Sequence, residues 1–215
     1  MTAPAPETEP TPPPGRRERK KQATREALLD AAFRLFASKG YEATTVEEIA
    51  EAVDVSTRTF FRYFASKEDV ALTSQEEQFY AVLDAFRRRP PEESALTAMR
   101  HAGTLLIEAL EVDGLADERM SRFDCLMRLT EESPALRAGS MERTRRKNDE
   151  MTRAIAERMG ADPERDLRPR MFAAMASTAF MVAADAYRMG VCGFGSFSEA
   201  VDAAFEVLEK GFAEY

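Results

Sequence analysis

The residue types best suited to chemistry in this 215-residue chain stand together in one short segment, residues 56–64. Arg58 and Arg62 lie four positions apart, so a helix would place both guanidinium groups on one face. Guanidinium groups match the O6 and N7 acceptors of guanine, hydroxyl groups bind phosphate oxygens, and an aromatic ring can contact a thymine methyl group. The segment therefore predicts a surface that reads base edges in the major groove of DNA, formed by Thr57, Arg58, Thr59, Phe61, Arg62 and Tyr63. The alternative is an exposed polar helix that carries one accidental ring.

Other side chains of the same segment face the opposite way and would hold this surface in place. Phe60 and Phe64 are four positions apart and share a stripe with Val55, which predicts packing against the helices that come before. Asp54 tolerates the left-handed backbone of a tight turn, and Ser56 can cap the helix that follows it.

A second short helix is predicted just before this turn. Thr45 and Glu48 have the Thr-x-x-Glu spacing of a capping box, so the helix should begin at Thr45 and extend for about two turns. Two short helices joined by a tight turn form a helix-turn-helix.

Residues 24–70 resemble the DNA-binding domain of the tetracycline-repressor (TetR) family of bacterial transcription regulators. The run ALLDAAFRLFASKGYEATTVEEIAEAVDVSTRTFFRYFASKEDV is similar to the family pattern almost position by position. The resemblance implies an all-helical homodimer with a three-helix DNA reader and a larger, variable domain that dimerises and binds a small effector. It also implies that Thr45 contacts phosphate, that the outward residues of segment 56–64 face DNA, and that Lys67 reaches the DNA backbone.

Two positions depart from the family pattern. Asp54 stands where the family often has glycine, and Phe61 stands where it usually has tyrosine. Because phenylalanine has no hydroxyl group, Phe61 lacks that hydrogen bond to phosphate, and we expect packing against a methyl group or a sugar instead.

The helical spacing of apolar residues predicts an all-α fold. The family resemblance implies that the helix-turn-helix DNA-binding domain is followed by a larger helical ligand-binding and dimerisation domain. We expect a disordered proline-rich tail over residues 1–15, the DNA-binding domain over 16–66 and the larger domain over 67–215. Predicted helices cover about 19–38, 45–53, 56–64, 67–88, 93–111, 115–131, 135–159, 167–189 and 197–213.

The composition disfavours most enzymes. A single histidine, His101, and two distant cysteines, Cys125 and Cys192, leave no cluster that could bind a metal or activate a nucleophile. We therefore predict that the protein is not an enzyme and has no catalytic residues, no metal site and no cofactor. The sequence also lacks the roughly 18 apolar residues of a membrane span and the pattern of a signal peptide, so we expect a cytoplasmic protein without a membrane partner.

The most apolar helix is predicted near the carboxyl end. Residues 171–184 carry no charge around the whole helix, which predicts burial on two sides. In the family that the chain resembles, the last two helices of each subunit form a four-helix interface, so we assign 167–189 and 197–213 to a homodimer contact. The alternative is one large internal core without a partner.

The middle helices are rich in methionine, whose flexible side chain suits a pocket that adapts to a hydrophobic ligand. Such residues at helical spacing are also typical of an ordinary core. The predicted effector pocket, as a neighbourhood only, contains Met99, Leu105, Met120, Phe123 and Met127.

Charge is divided unevenly along the chain. Residues 16–67 contain 11 Lys or Arg and 8 Asp or Glu, whereas residues 68–215 contain 19 and 28, which suggests a polyanionic partner at one end. Two interpretations remain open for the basic cluster at the start of the first helix. It is either an arm that contacts DNA or a solvated helix end, and it consists of Arg16, Arg17, Arg19, Lys20 and Lys21.

The function predicted from these features is a dimeric DNA-binding transcriptional regulator. By the family resemblance it is a repressor that a small, largely hydrophobic effector releases from an inverted-repeat operator in double-stranded DNA. The alternatives are a ligand-independent DNA-binding protein or activator and, less favoured, a helical ligand carrier or enzyme.

Overall fold

The computed structural model describes residues 15–211 as a set of helices joined by short turns. Within that range there is no β-strand, and the all-α prediction is confirmed. The helices are α1 (Arg16–Lys39), α2 (Val46–Glu51), α3 (Thr57–Phe60), α4 (Lys67–Arg88), α5 (Ala95–Val112), α6 (Ala116–Glu132), α7 (Pro134–Met159), α8 (Arg168–Met189) and α9 (Phe197–Lys210), with a 3₁₀ turn over Val191–Gly193.

The chain divides into two compact units at the start of α4, between Lys67 and Glu68. The predicted tail over residues 1–15 lies outside the described residues except for Gly15. DNA binding by the first unit and effector binding and dimerisation by the second stay predictions.

The first unit is a small three-helix bundle around an aromatic core. α1 contributes Phe36 and α3 contributes Phe60, and both side chains are almost fully buried. The remaining buried apolar side chains of these helices are Leu28, Leu29, Ala31, Ala32, Phe33, Ile49, Ala50 and, just after α3, Phe64. The core begins at Leu28, so the first turns of α1 bury nothing.

The third helix is shorter than its predicted span of 56–64. It is α-helical only over Thr57–Phe60, because the next backbone N–H groups bond three residues back: Arg62 N donates to Thr59 O at 3.2 Å and Tyr63 N to Phe60 O at 2.8 Å. This tighter 3₁₀-type winding carries the chain round to Phe64, whose N–H returns to Phe60 O at 3.1 Å.

In the second unit, α8 lies against α7 and α9, and α9 also packs on α5. Gly103 of α5 allows the closest approach, since a β-carbon there would lie 2.5 Å from ring atoms of Phe180. Phe180 in turn packs edge-on against Phe205, with ring centroids 5.2 Å apart. The core of this unit is built from buried residues of α4, α5, α7, α8 and α9.

In the second unit, backbone N–H and C=O groups at two helix ends form hydrogen bonds with side chains that are distant in the sequence. The Glu111 carboxylate accepts from the backbone N–H groups of Phe197 and Ser198 at 2.8 and 3.1 Å, at the start of α9. At the end of α4, the Arg158 guanidinium donates to the carbonyls of Phe86, Arg89, Pro90 and Glu93. Both contacts join elements far apart in the sequence.

Insertion into a membrane requires a helix that is both long and apolar. Within residues 15–211, no helix combines the length and the apolar character that crossing a bilayer requires.

Asp54 holds the turn before α3 in the left-handed region, with φ 54°. We expect Asp54→Gly to be at least as stable as the natural chain and Asp54→Ala to be less stable than Asp54→Gly by about 1 kcal/mol, because a β-carbon disfavours this backbone. Urea unfolding followed by circular dichroism measures the difference. The control is Ala37→Gly in the right-handed α1, which should lower stability. Equal unfolding midpoints for the two Asp54 variants would contradict the explanation.

Candidate nucleic-acid interface

The turn between α2 and α3 is closed by backbone hydrogen bonds. Asp54 N donates to Glu51 O at 3.0 Å, and Val55 N donates to Ala50 O at 3.0 Å. The Ser56 hydroxyl then accepts from Thr59 N at 3.2 Å, which caps the start of α3 as predicted. Because these bonds are all local, the sequence from 50 to 59 is enough to set the direction in which α3 leaves the turn.

The inward side of α3 is fixed by aromatic packing. The Phe60 and Phe64 side chains are 0% and 2% exposed, and their ring centroids are 5.7 Å apart. From α1, the Arg25 guanidinium lies over the Phe64 ring at 5.2 Å from the centroid. The rotation of α3 is therefore set by two buried rings and by a cation from another helix.

The outward side of α3 carries the predicted DNA-reading residues. Arg58 and Arg62 are exposed, and Phe61 beside them is 56% exposed although it is a large apolar side chain. The Arg62 guanidinium lies over the Tyr63 ring at 5.2 Å and donates to the Tyr63 hydroxyl at 3.4 Å. Two cations and an aromatic ring thus share one solvent-facing surface.

The two threonines of this helix are half-buried at the edge of that surface. The Thr59 hydroxyl is 3.0 Å from the Ser56 hydroxyl, so it also supports the cap. Thr57 lies one turn before Phe61 on the same side of the helix.

Thr45 caps α2 in the predicted capping box. Its hydroxyl accepts from Glu48 N at 3.3 Å, and its own N–H donates to the Glu48 carboxylate at 2.9 Å. Lys39 pairs with the same carboxylate, and this hydrogen bond, together with the one from Thr45 N–H, lowers the pKa of Glu48 below its usual value. Thr45 is exposed at the start of the helix, where a phosphate would meet free backbone N–H groups. Its phosphate contact stays a prediction.

Lys67 has partners that the sequence did not indicate. Its ammonium group donates to the carbonyls of Tyr41, Glu42 and Thr44 at 3.0, 3.3 and 3.2 Å, and it lies 4.3 Å from the centroid of the Tyr41 ring. An ammonium group has three protons, so these bonds use all of them. In this structure Lys67 organises the loop between α1 and α2, and its contact with the DNA backbone stays a prediction.

The five residues of the predicted effector neighbourhood do not share one surface. Met99 is fully buried in the core of the second unit, whereas Leu105, on the same helix, is 52% exposed. On α6, Met120 and Phe123 are half-buried and Met127 is exposed. The effector pocket therefore stays a prediction.

An open groove of about 690 Å³, which the sequence did not predict, lies between α5 and the start of α9. At its edge the Arg89 guanidinium and the His101 ring both contact the Glu93 carboxylate, and hydrogen bonds from Arg89 and then from His101 lower the pKa of Glu93 to about 2. The residues lining the groove come from three distant parts of the chain, so spacing could not reveal them: Arg89, His101, Thr104, Leu105, Glu108, Ser196, Ser198, Glu199 and Asp202.

Comparison with known proteins bears directly on the helix-turn-helix. Residues 28–73 match the family described as bacterial regulatory proteins, tetR family, and residues 93–213 match the MftR C-terminal domain. The chain belongs to the TetR family of bacterial regulatory proteins.

Curated relatives agree with this assignment. The chain is 42% identical over 162 residues to the HTH-type transcriptional regulator TcmR of Streptomyces glaucescens, which covers 75% of this chain and 72% of TcmR. It is 28% identical over 197 residues to MftR of Mycobacterium tuberculosis, a protein named as a transcriptional regulator of mycofactocin biosynthesis, with 90% and 93% of the two chains covered.

The fold of the TetR family is seen in a solved structure of a Clostridium perfringens protein named as a fatty acid metabolism regulator. It superposes with a TM-score of 0.60 at 17% identity and covers 87% of this chain and 98% of its own. Family and relatives are transcriptional regulators, so the predictions of a TetR regulator and of a protein that is not an enzyme are confirmed.

Lys67→Met keeps the length of the side chain but removes its three hydrogen bonds to carbonyls. We expect the free energy of unfolding to fall by about 1–2 kcal/mol, because partly buried carbonyls lose a charged donor. Urea unfolding measures the loss. The control, Lys39→Met, breaks one pair on the surface and should cost less than about 1 kcal/mol. If Lys67→Met unfolds like the natural chain and only binds DNA more weakly, the main role of the ammonium group is on DNA.

Proposed function

We propose that this TetR-family protein is a homodimeric repressor that binds an inverted-repeat operator and is released by a small, largely hydrophobic effector. One observation carries the DNA-binding part of the proposal. Arg58, Phe61 and Arg62 face solvent together, while Phe60 and Phe64 are buried behind them. The exposed apolar ring of Phe61 is unfavourable in water. A DNA groove would bury this ring and would also offer acceptors to the two arginines.

In this proposal each exposed group has a separate role at the operator. Arg58 and Arg62 donate pairs of hydrogen bonds to guanine O6 and N7, and Phe61 packs against a thymine methyl group or a sugar. Thr57, Thr59 and Tyr63 flank these residues and donate hydroxyl hydrogen bonds, as does Thr45 at the start of α2.

The homodimer is supported by the outer face of α8. Met171, Met175 and Val182 are 51%, 36% and 53% exposed, and their separations of four and seven positions place them on one stripe of the helix, with the 48% exposed Met181 beside it. The opposite side of α8 is buried through Ala173, Ala176 and residues that follow them at the same spacing. A second copy of the chain would cover this apolar outer stripe. α9, which packs on α8, adds the exposed Val207 to the apolar surface of the two helices. The proposed interface spans 167–189 and 197–213, of which residues 212 and 213 lie outside the described range.

A two-fold dimer has a direct consequence for the operator. Two identical reading helices would lie about one turn of B-DNA apart, about 34–36 Å or somewhat more, so the recognised sequence would be a palindrome.

The effector is proposed to act through α4, which begins at the last residue of the first unit. Within the second unit, Arg143 of α7 pairs with Asp69 at 2.9 Å and also with Glu76, and Arg146 contacts Glu76 as well, so α4 and α7 are tied together by charge. A ligand that prefers one arrangement of these helices would shift the operator affinity about tenfold for every 1.4 kcal/mol of preference. As a regulator of chromosomal DNA, the protein would act in the cytoplasm.

The DNA-binding proposal is tested by selecting bound duplexes from a random pool and measuring affinity with the Arg58→Ala and Arg62→Ala variants. We expect an inverted repeat to be enriched, and each substitution to cost about 1–3 kcal/mol of specific binding if that arginine makes a paired base contact. The control is Arg153→Ala, an exposed arginine of α7, which should bind like the natural chain. Failure to enrich any sequence, or unchanged binding by both α3 variants, would refute the proposal.

The homodimer is tested by Met181→Glu. A carboxylate buried without a partner is strongly unfavourable, so we expect monomers in analytical ultracentrifugation and weaker binding to the palindrome. The matched control is Met141→Glu on α7, where the natural methionine is 69% exposed and the charge should be tolerated. A dimer of undiminished stability in Met181→Glu would rule out this face.

A further inference from the structure

We infer that the first two turns of α1, the basic segment Arg16–Lys21, bind the phosphate backbone of DNA beside the sequence that α3 reads. This inference rests on the proposed function and adds a contact surface outside the helix-turn-helix. The ligand is the sugar-phosphate backbone of a duplex, whatever its sequence.

The first observation is the density of unpaired charge. Residues 16–21 contain five cations and one anion, and all six are exposed. Lys21 pairs with Glu18 at 3.4 Å, and because both side chains are well exposed, this ion pair contributes little to stability. For Arg16, Arg17 and Lys20, no carboxylate within ion-pair distance is found among residues 15–211.

The second observation is that this arrangement works against its own helix. Arg16 and Lys20 are four positions apart, as are Arg17 and Lys21, so like charges are neighbours on the helix surface. The cluster also occupies the amino-terminal end of α1, where the helix dipole is positive and anions are favoured. Because residues 16–23 bury nothing, no packing compensates for this repulsion. A bound polyanion removes both unfavourable terms.

The third observation is that the helix carrying this segment contacts the end of the segment that carries the reading residues. Arg25 of α1 lies over the ring of Phe64, which follows Arg62 and Tyr63 directly. Lys21 is one turn before Arg25 on the same side of α1, about 6 Å along the axis. The contact of Arg25 with Phe64 therefore ties the first half of α1 to the segment that carries Arg62 and Tyr63, within the same unit.

Phosphates fit this segment better than base edges do. Its long side chains are exposed, and among residues 15–211 no ring contact holds them in one geometry, whereas base readout requires fixed donors. Their contribution should be independent of sequence and should appear in the salt dependence of binding.

The test uses the full-length chain with Arg16→Gln, Arg17→Gln and Lys20→Gln combined. Binding to the selected operator and to a duplex of unrelated sequence is measured over a series of salt concentrations. The plot of log K against log salt should become shallower by about 0.9 for each phosphate that the variant no longer neutralises, up to about 2.7 for the three positions of one subunit and about 5.4 for both subunits of a dimer. Affinity should fall by the same factor on both duplexes, which leaves the preference for the operator unchanged.

The control variant removes the same charge from three exposed arginines of the second unit. It should keep the slope of the natural chain, and it combines Arg88→Gln, Arg145→Gln and Arg153→Gln. Circular dichroism checks that both variants fold, which we expect because none of the six side chains is buried.

An unchanged slope in the basic-segment variant would overturn the inference. So would a loss of binding to phosphatidylserine vesicles with no change on DNA, since the partner would then be a membrane surface. A change of the same size in the control variant would mean that only net charge matters. These failures are distinct from failure of the proposed function, because the slope can be measured on unrelated duplexes even if no operator is enriched and Arg58→Ala has no effect.

Discussion

The orientation of α3 is the constraint on which the DNA-reading surface depends. Phe60 and Phe64 are buried four residues apart, and a helix has only one rotation that places both rings in the core. That rotation leaves Arg58, Phe61 and Arg62 in solvent. The turn at Asp54 and the cap at Ser56 set the direction of the helix, and the rings set its rotation. A helix of four residues could not hold this orientation through its own hydrogen bonds, because short helices are unstable without packing.

The two units differ in net charge as well as in packing. The first unit carries a small excess of positive charge, while the rest of the chain is strongly negative. In a TetR-family regulator this division has a simple physical use. Phosphates attract a unit with an excess of positive charge, whereas they repel an acidic one, which limits binding in wrong orientations. The inferred role of the basic start of α1 would add to that attraction, at the expense of the stability of its own helix end.

The second unit differs from the first in its long-range polar contacts and in the apolar surface that it leaves exposed. Several of its polar contacts join distant parts of the chain, as in the Arg100–Asp202 pair between α5 and α9 or the Arg158 contacts at the end of α4. Its apolar surface is not fully covered, because the outer stripe of α8 stays in solvent in a single copy. Residues 171–184 are therefore buried on one side by their own chain, and the uncharged opposite side is what favours a second copy as partner.

The sequence by itself determined the features that depend on neighbours a few residues away. The capping box of Thr45 and Glu48 and the left-handed turn at Asp54 follow from local hydrogen bonds and backbone preferences, and the structure contains both. Helix bounds were predicted less closely, since α3 is α-helical only over Thr57–Phe60. The division of α3 into a buried and an exposed face was also predictable, since helical spacing alone places Phe60 opposite the arginines. Only the tertiary structure decided which distant groups meet. The carbonyls that hold Lys67 lie more than twenty residues earlier, Arg25 reaches Phe64 from another helix, and Met99 and Leu105 occupy opposite environments on one helix. Such contacts depend on how helices pack, and a helical pattern gives the faces of each helix but not the partner that each face will find.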